Sequence, residues 1–243
     1  MRHLYPLDVR VYEVGPDGTL QHANLARFLH TASDSATRAL GWGAGWYEQL
    51  GTAWVLRGLH MEFVSPIHAF EAVTIHTWLS SIRRVRGYRE FDVRAGGDQR
   101  VAARARADWV YVDRATLAPA RLPPELVAQV PLDPATTCEL TVNAGQPLGR
   151  PFECGRRVEL HEIDGLGHVN NAFYIEWCEQ AWFEACGRLP ADVRAISVEF
   201  ARPARAGNNV KIVSQPTSTG VWRQEIRLLD DDLLAATCLL LPA

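Results

Sequence analysis

The run from Val158 to Tyr174 carries the residues best suited to chemistry: Asp164, His168, Asn170 and Asn171, spaced by Gly165 and Gly167. An apolar run with strand periodicity ends at Asp164, the glycines turn the chain, and a helical pattern begins near Asn170 and continues to about Gly187. Such a joint aims one carboxylate, one imidazole and the unpaired N–H groups of a helix start at a common point. A carboxylate there can attack a carbonyl carbon or activate a water, and an imidazole titrates near neutrality. The first-turn amide of Asn171 is the natural donor to a developing oxyanion. The plainer reading is a strand-to-helix turn with Asn171 as its N-cap, in which His168 only hydrogen-bonds the turn. Asp164 lies too far ahead of the first helical turn to be that cap.

The surrounding chain has 243 residues, 47% hydrophobic and 22% charged, an ordinary globular composition with room for one large or two small domains. A net charge of −3 argues against general nucleic-acid binding, which needs a basic surface. No stretch approaches the roughly 20 apolar residues of a membrane span, and the opening residues lead into a strand pattern without a signal-peptide core, so the expectation is a cytoplasmic protein. The five cysteines lack the paired spacing of a zinc site or redox pair and are expected to be reduced, with Cys178 and Cys186 as packing residues. No phosphate loop or dinucleotide fingerprint is present, so neither cofactor nor metal is expected.

The elements that must position the turn form a repeat. Alternation marks a first strand at Leu7–Tyr12, and apolar residues recurring at three and four mark a helix from Ala23 to Leu40, stopped by Gly41. Strand patterns follow at Thr52–Val64, Ala72–Arg83, Gly87–Ala95 and Val101–Val112. Residues 121–149, rich in proline, threonine and alanine, read as a connector with a short helix at Pro124–Gln129. The order then returns, with a strand at Arg156–Ile163, a helix at Asn171–Gly187, and strands at Ala195–Phe200, Asn209–Gln215, Val221–Leu228 and Leu233–Leu241. Gln21-His22-Ala23-Asn24 echoes Gly167-His168-Val169-Asn170, and Asp17 with His22 falls where a second, degenerate site is expected.

Asp164-Gly165-Leu166-Gly167-His168-Val169-Asn170-Asn171, with Tyr174 following, resembles the signature of hotdog-fold thioesterases. Arg10 to Thr19, Trp54-Val55-Leu56, His60-Met61-Glu62, Thr77-Trp78 and Trp109-Val110 resemble the amino-terminal half of the acyl-ACP thioesterases. Together the resemblance covers nearly the whole chain. It implies an α+β fold, a tandem hotdog in which each unit is a curved antiparallel sheet around one long helix. The units are expected at 1–130 and 151–243 with a linker at 131–150, paired as a pseudo-dimer that needs no partner chain, with further oligomerisation optional.

The resemblance also implies a division of labour: the amino-terminal half shapes the acyl pocket, with Trp54 as a substrate-binding residue, and the carboxy-terminal half carries the catalytic groups. Asp164, as nucleophile or general base, His168 and Asn171 then release a carboxylic (fatty) acid from acyl-carrier protein. The chain departs from the plant-type pattern at two places, Leu166 where that family has asparagine and Pro203 where it has glutamate. In this respect the second half resembles the simpler acyl-CoA thioesterases, so coenzyme A is the alternative carrier, and a non-catalytic acyl-thioester binding module is a further alternative. Glu176 and Glu179 on the second helix are candidate substitutes. Hydration chemistry at the first-half Asp17–His22 stretch is a distant alternative. Arg104 and Arg106, two apart on one strand and so on one sheet face, are candidates for docking an acidic carrier or the phosphates of coenzyme A, against a merely solvated face.

Overall fold

The computed structural model describes residues 2–138 and 142–242, so positions 139–141 of the expected linker lie outside the described residues. The chain forms two compact units, Met1–Leu20 with Leu25–Leu140, and Gln21–Asn24 with Thr141–Ala243. The first contains β1 (His3–Asp8), α1 (His22–Ala39) from Leu25 onward, α2 (Ala44–Gln49), β2 (Thr52–Phe63), β3 (Ala72–Arg83), β4 (Arg86–Ala95), β5 (Arg100–Asp113) and α3 (Pro124–Gln129). Its strands pair antiparallel in the order β1-β3-β4-β5-β2. The second contains β6 (Phe152–Arg157), α4 (Asn171–Cys186), β7 (Val193–Phe200), β8 (Asn209–Pro216), β9 (Trp222–Leu228) and β10 (Leu233–Pro242). Their order, β6-β8-β9-β10-β7, repeats that of the first unit strand for strand, so the internal repeat expected from the sequence is real.

Each long helix is made by its apolar spacing and stopped by a glycine. Leu25, Ala26, Leu29, Ala32 and Ala36 of α1 are buried, a one-sided stripe. In α4, Tyr174, Ile175, Trp177, Cys178, Ala181 and Trp182 are all buried, as are Ile196, Val198, Ile212, Ile226, Ala236, Cys238 and Leu240 on the strands of the second unit. Gly187 ends α4 at φ +71°, where its N–H reaches the Phe183 carbonyl at 2.7 Å, a left-handed cap that a residue with a Cβ adopts only at a cost.

The first strand of each unit lies earlier than the alternation suggests. The strands end at Asp8 and Arg157, and Val11–Glu13 and Leu160–Glu162 form 3₁₀ turns instead of continuing as strand. A buried glutamate explains both departures. The Glu13 and Glu162 carboxylates accept the N–H groups of Arg10 and Glu159, each at 2.7 Å, which closes a tight turn that a period-two reading cannot reveal. The sequence reading also missed α2, which begins among glycines. Cys178 is buried as expected, but Cys186, in the last turn of α4, is exposed and does not pack.

Both ends of the expected linker are held to the unit they adjoin. The Asp133 N–H donates to the Leu79 carbonyl (3.0 Å), and Trp78 Nε1 donates to the Ala135 carbonyl (2.8 Å). Thr137 donates to Glu90 through N–H (3.0 Å) and hydroxyl (2.8 Å). Beyond the undescribed positions, the Leu148 N–H donates to the Pro216 carbonyl at 2.8 Å.

Glu162 does more than close its turn. It is only 2% exposed, yet it pairs with the Arg156 guanidinium on β6 and accepts Trp177 Nε1–H from α4 at 2.9 Å. Removing one side of a buried charged network strands the other groups without partners, so Glu162→Ala is expected to lower the unfolding free energy by about 3 kcal/mol or more. Urea denaturation checks this, and a loss below about 1 kcal/mol contradicts it.

Candidate active site

The stretch after Glu162 is a closed turn. The Asp164 N–H donates to the His168 carbonyl at 2.8 Å, the Gly167 N–H to the Asp164 carbonyl at 3.0 Å, and Ile163 bridges Val169. Gly167 sits at φ +78°, the left-handed conformation the tight turn requires. One Asp164 carboxylate oxygen accepts the Leu166 N–H at 2.8 Å. Among the described residues the other oxygen has no hydrogen-bond partner, and the side chain is only half-buried. The turn therefore orients the carboxylate through one oxygen and leaves the second without a partner among the described residues.

The helix start corrects one detail of the sequence reading: the N-cap of α4 is Asn170, not Asn171. The Asn170 side chain accepts the Ala172 N–H at 3.0 Å, its carbonyl accepts the Phe173 N–H at 2.9 Å, and its own N–H donates to the Glu162 carbonyl at 2.9 Å. The N–H groups at the second and third helical positions are thus taken. Among the described residues no acceptor occupies the N–H of Asn171, the first residue of the helix. A first-turn amide without an acceptor, at the positive end of the helix dipole, is suited to a developing negative charge.

A second segment closes on this turn from the loop after β7. The Val169 N–H donates to the Ala204 carbonyl at 2.9 Å, and the Ala204 N–H donates to the Tyr174 hydroxyl at 2.9 Å. The same loop sets Arg205 Nη2 3.5 Å from His168 Nε2. Residues 201–208 contain no carboxylate, so this loop brings a guanidinium to the imidazole, while Pro203 and the exposed Leu166 contribute no polar side chain. Burial pushes the Tyr174 phenol up to about 12, with the nearby Asp164 charge adding to the shift. Tyr174 stood in the sequence motif without a role, and Arg205 carried no sequence signal at all.

The other sequence candidates fall in mixed surroundings. Glu179 is buried, and its carboxylate meets His22 Nδ1 at 2.5 Å; Glu176 is half-buried. In the first unit Trp54 is half-buried, donating to the Tyr47 hydroxyl at 3.2 Å and meeting the Tyr111 ring in a tilted contact at 5.2 Å between ring centres. Arg104 is exposed on β5, whereas Arg106 lies 3.1 Å from the buried Glu90 carboxylate and over the Tyr88 ring. Donor atoms of His60, Glu62 and Cys138 lie within 4.8 Å of one another, the metal-ligating types that come together among the described residues. They belong to the first unit and enter no step below.

The repeat register displaces the expected first-half site. The first-unit turn carries the same two bonds, Gly15 N–H to the Thr19 carbonyl and Gly18 N–H to the Gly15 carbonyl. Gly15 therefore stands where the second unit has Asp164, Thr19 where it has His168, Asp17 where it has Leu166, and His22 where it has Asn171. The apparent echo of His22 with His168 is three residues out of register. Asp17 instead holds the Thr19 N–H and hydroxyl within its own turn.

Residues 3–130 match the family model of the acyl-ACP thioesterase N-terminal domain, and residues 147–232 that of the C-terminal domain. The fold is that of solved tandem structures. An acyl-ACP thioesterase from Bacteroides thetaiotaomicron superposes with a TM-score of 0.84 at 18% identity, over 99% of this chain and 97% of that one. The 12:0-ACP thioesterase from Umbellularia californica superposes with a TM-score of 0.84 at 15% identity, over 100% and 98%. No curated protein sequence matches the chain.

The Tyr174 environment has a measurable consequence. A phenol whose folded value is near 12, against about 10 when unfolded, contributes stability that is complete below about pH 10 and lost as pH rises through 12. The stability difference between the wild type and Tyr174→Phe is expected to shrink by about 1.4 kcal/mol between neutrality and pH 11. A difference that stays constant with pH contradicts this placement of the hydroxyl.

Proposed function

The chain belongs to the acyl-ACP thioesterase family, and from that membership we propose that Asp164, His168 and the Asn171 N–H hydrolyse the thioester of an acyl-carrier protein. The observation that carries the assignment is the turn itself: a carboxylate with one oxygen tethered and one without a partner, next to a helix whose first N–H lacks an acceptor. Asp164 attacks the acyl carbon directly or takes a proton from an attacking water. The carbonyl oxygen becomes an oxyanion held by the Asn171 N–H, a kind of donor typically worth about 3 kcal/mol in the transition state. The carbon–sulfur bond breaks, the hydroxyl from water ends on the acyl carbon, and a proton ends on the departing thiolate. His168, beside the Arg205 guanidinium, positions the carbonyl or the water. No family asparagine or glutamate is needed for these steps, which matches their replacement by Leu166 and Pro203.

The first unit takes the acyl group, with Trp54 on its wall, and exposed Arg104 contributes to carrier docking. Arg106, paired with Glu90, has less charge to offer an acidic partner. The proposed setting is the cytoplasm, consistent with five unbridged cysteines. The domain boundaries proposed are 1–130 and 151–243, joined by 131–150.

The test presents one acyl group on acyl-carrier protein and on coenzyme A and follows acid release. Faster release from the carrier protein is expected, and Arg104→Gln should raise KM for the carrier protein and flatten its salt dependence while sparing small thioesters. Equal or faster turnover of the coenzyme A thioester assigns the alternative carrier, and saturable binding without acid release assigns a binding module.

A further inference from the structure

Arg89 is the group in the first unit that the hydrolytic chemistry does not use and that packing does not explain. It lies in the middle of β4, only 7% exposed, on the face shared by Phe91, Val93 and Ala95. Across β5 it stands opposite Ala107, and Phe91 and Val93 of the same face stand opposite Ala105 and Ala103, so a row of alanines runs along β5 beside these residues. Across β3, Arg89 Nη1 donates to Thr77 Oγ1 at a long 3.4 Å. Thr77 is in register with His3 of β1, and His3 Nε2 meets Ser35 Oγ of α1 at 3.0 Å. Arg89 therefore sits on the sheet face that looks toward α1, the inside of the unit.

No carboxylate lies within ion-pair distance of Arg89 among the described residues. Other arginines on the strands of this unit have a carboxylate: Arg106 has Glu90, Arg86 has Asp108, Arg100 has Glu71. The groups that face Arg89 are neutral. His3 is held below its usual value by burial and by the Arg89 charge, and burial raises the Tyr47 phenol above the ordinary tyrosine value. Burial also lowers Arg89 to about 10, which still leaves it cationic at neutral pH. A buried cation with one weak hydrogen bond and no counter-ion is costly, and a fold that keeps one needs something to compensate it. A guanidinium is the side chain whose fork matches a carboxylate in two parallel hydrogen bonds.

We propose that Arg89 receives the far end of the acyl group inside the first unit, and that it selects acyl thioesters ending in a carboxylate over those ending in a methyl. This rests on the reading of the first unit as the acyl-binding half. Thr77 supplies a hydroxyl beside the guanidinium, and the alanine row leaves the adjoining sheet face lined by the smallest apolar side chains. The substrate class is the half-thioester of an α,ω-dicarboxylic acid, and the product is the diacid.

Two measurements on the full chain test this separately from catalysis. In the first, calorimetry compares the monoamide of suberic acid with octanamide, and the monoamide of sebacic acid with decanamide, so that one member of each pair carries a carboxylate and the other carries none. The carboxylate-ending member of each pair is expected to bind at least about tenfold more tightly, the size of a charge-assisted pair. Arg89→Met should abolish that gap, and Arg89→Lys, which keeps the charge without the fork, should retain part of it. In the second, turnover of the matching thioesters should show the same preference in kcat/KM. Equal or weaker binding of the carboxylate-ending amides by the wild type overturns the proposal, as does a gap that Arg89→Met keeps. The wild-type comparison decides alone if Arg89→Met does not fold. A binding gap with no acid release from any thioester leaves Arg89 as the anion site and overturns the hydrolase reading instead.

Discussion

A carboxylate taken out of water must find several donors, and the second unit is arranged around one that does. Glu162 collects the Arg156 guanidinium from β6, the Trp177 indole N–H from α4 and the Glu159 N–H from its own 3₁₀ turn, while its carbonyl accepts the Asn170 N–H at the helix cap. Strand, turn, cap and helix are thereby fixed to one residue. Two positions further on, Asp164 inherits that rigidity without sharing the donors, which is why it can remain oriented and still have an oxygen to spare. The first unit repeats the turn through Glu13, but the position corresponding to Asp164 is Gly15. The same scaffold therefore presents a carboxylate at that position in one copy and none in the other.

Both units keep paired buried charge, Glu162 with Arg156 in the second and Glu90 with Arg106 in the first. In the first, Arg89 is kept unpaired on the inner sheet face, where a row of alanines could as easily have met an apolar side chain. Stability alone does not favour that choice, since a well-packed apolar residue costs less than an uncompensated ion.

Much of this was legible in the sequence. The apolar spacing of Leu25 to Ala36 and of Tyr174 to Trp182 is unambiguous, and Gly41 and Gly187 mark the ends of both helices. The Asp164–Asn171 motif announced the turn, because glycines and a capping asparagine have few other uses there. What failed did so for physical reasons. Val158 to Ile163 alternates like a strand, but the side chain of Glu162 folds it into a 3₁₀ turn through a contact that periodicity does not encode. Which asparagine caps α4 depends on one hydrogen bond to Ala172. The His22 echo misled because identical letters three residues apart in the repeat outweighed the register of the turn. Arg106 looked like a free charge in a basic run, and its partner Glu90 sits on the neighbouring strand, beyond the reach of any local pattern. Arg205 and Arg89 gave no signal, since an exposed arginine beside a histidine and a buried one without a partner are both products of tertiary packing.

The central claim is that the partnerless oxygen of Asp164 performs or assists the attack. Single-turnover acid release by Asp164→Asn, a substitution that keeps shape and the bond to the Leu166 N–H but removes the charge, tests it most directly. The account predicts a fall of at least about a hundredfold in the chemical step with substrate binding retained, and a far smaller effect for Asp17→Asn at the place of Leu166. A folded Asp164→Asn protein that releases acid at a near wild-type rate, with Glu179→Gln abolishing release, would move the chemistry to the buried His22–Glu179 pair and contradict it.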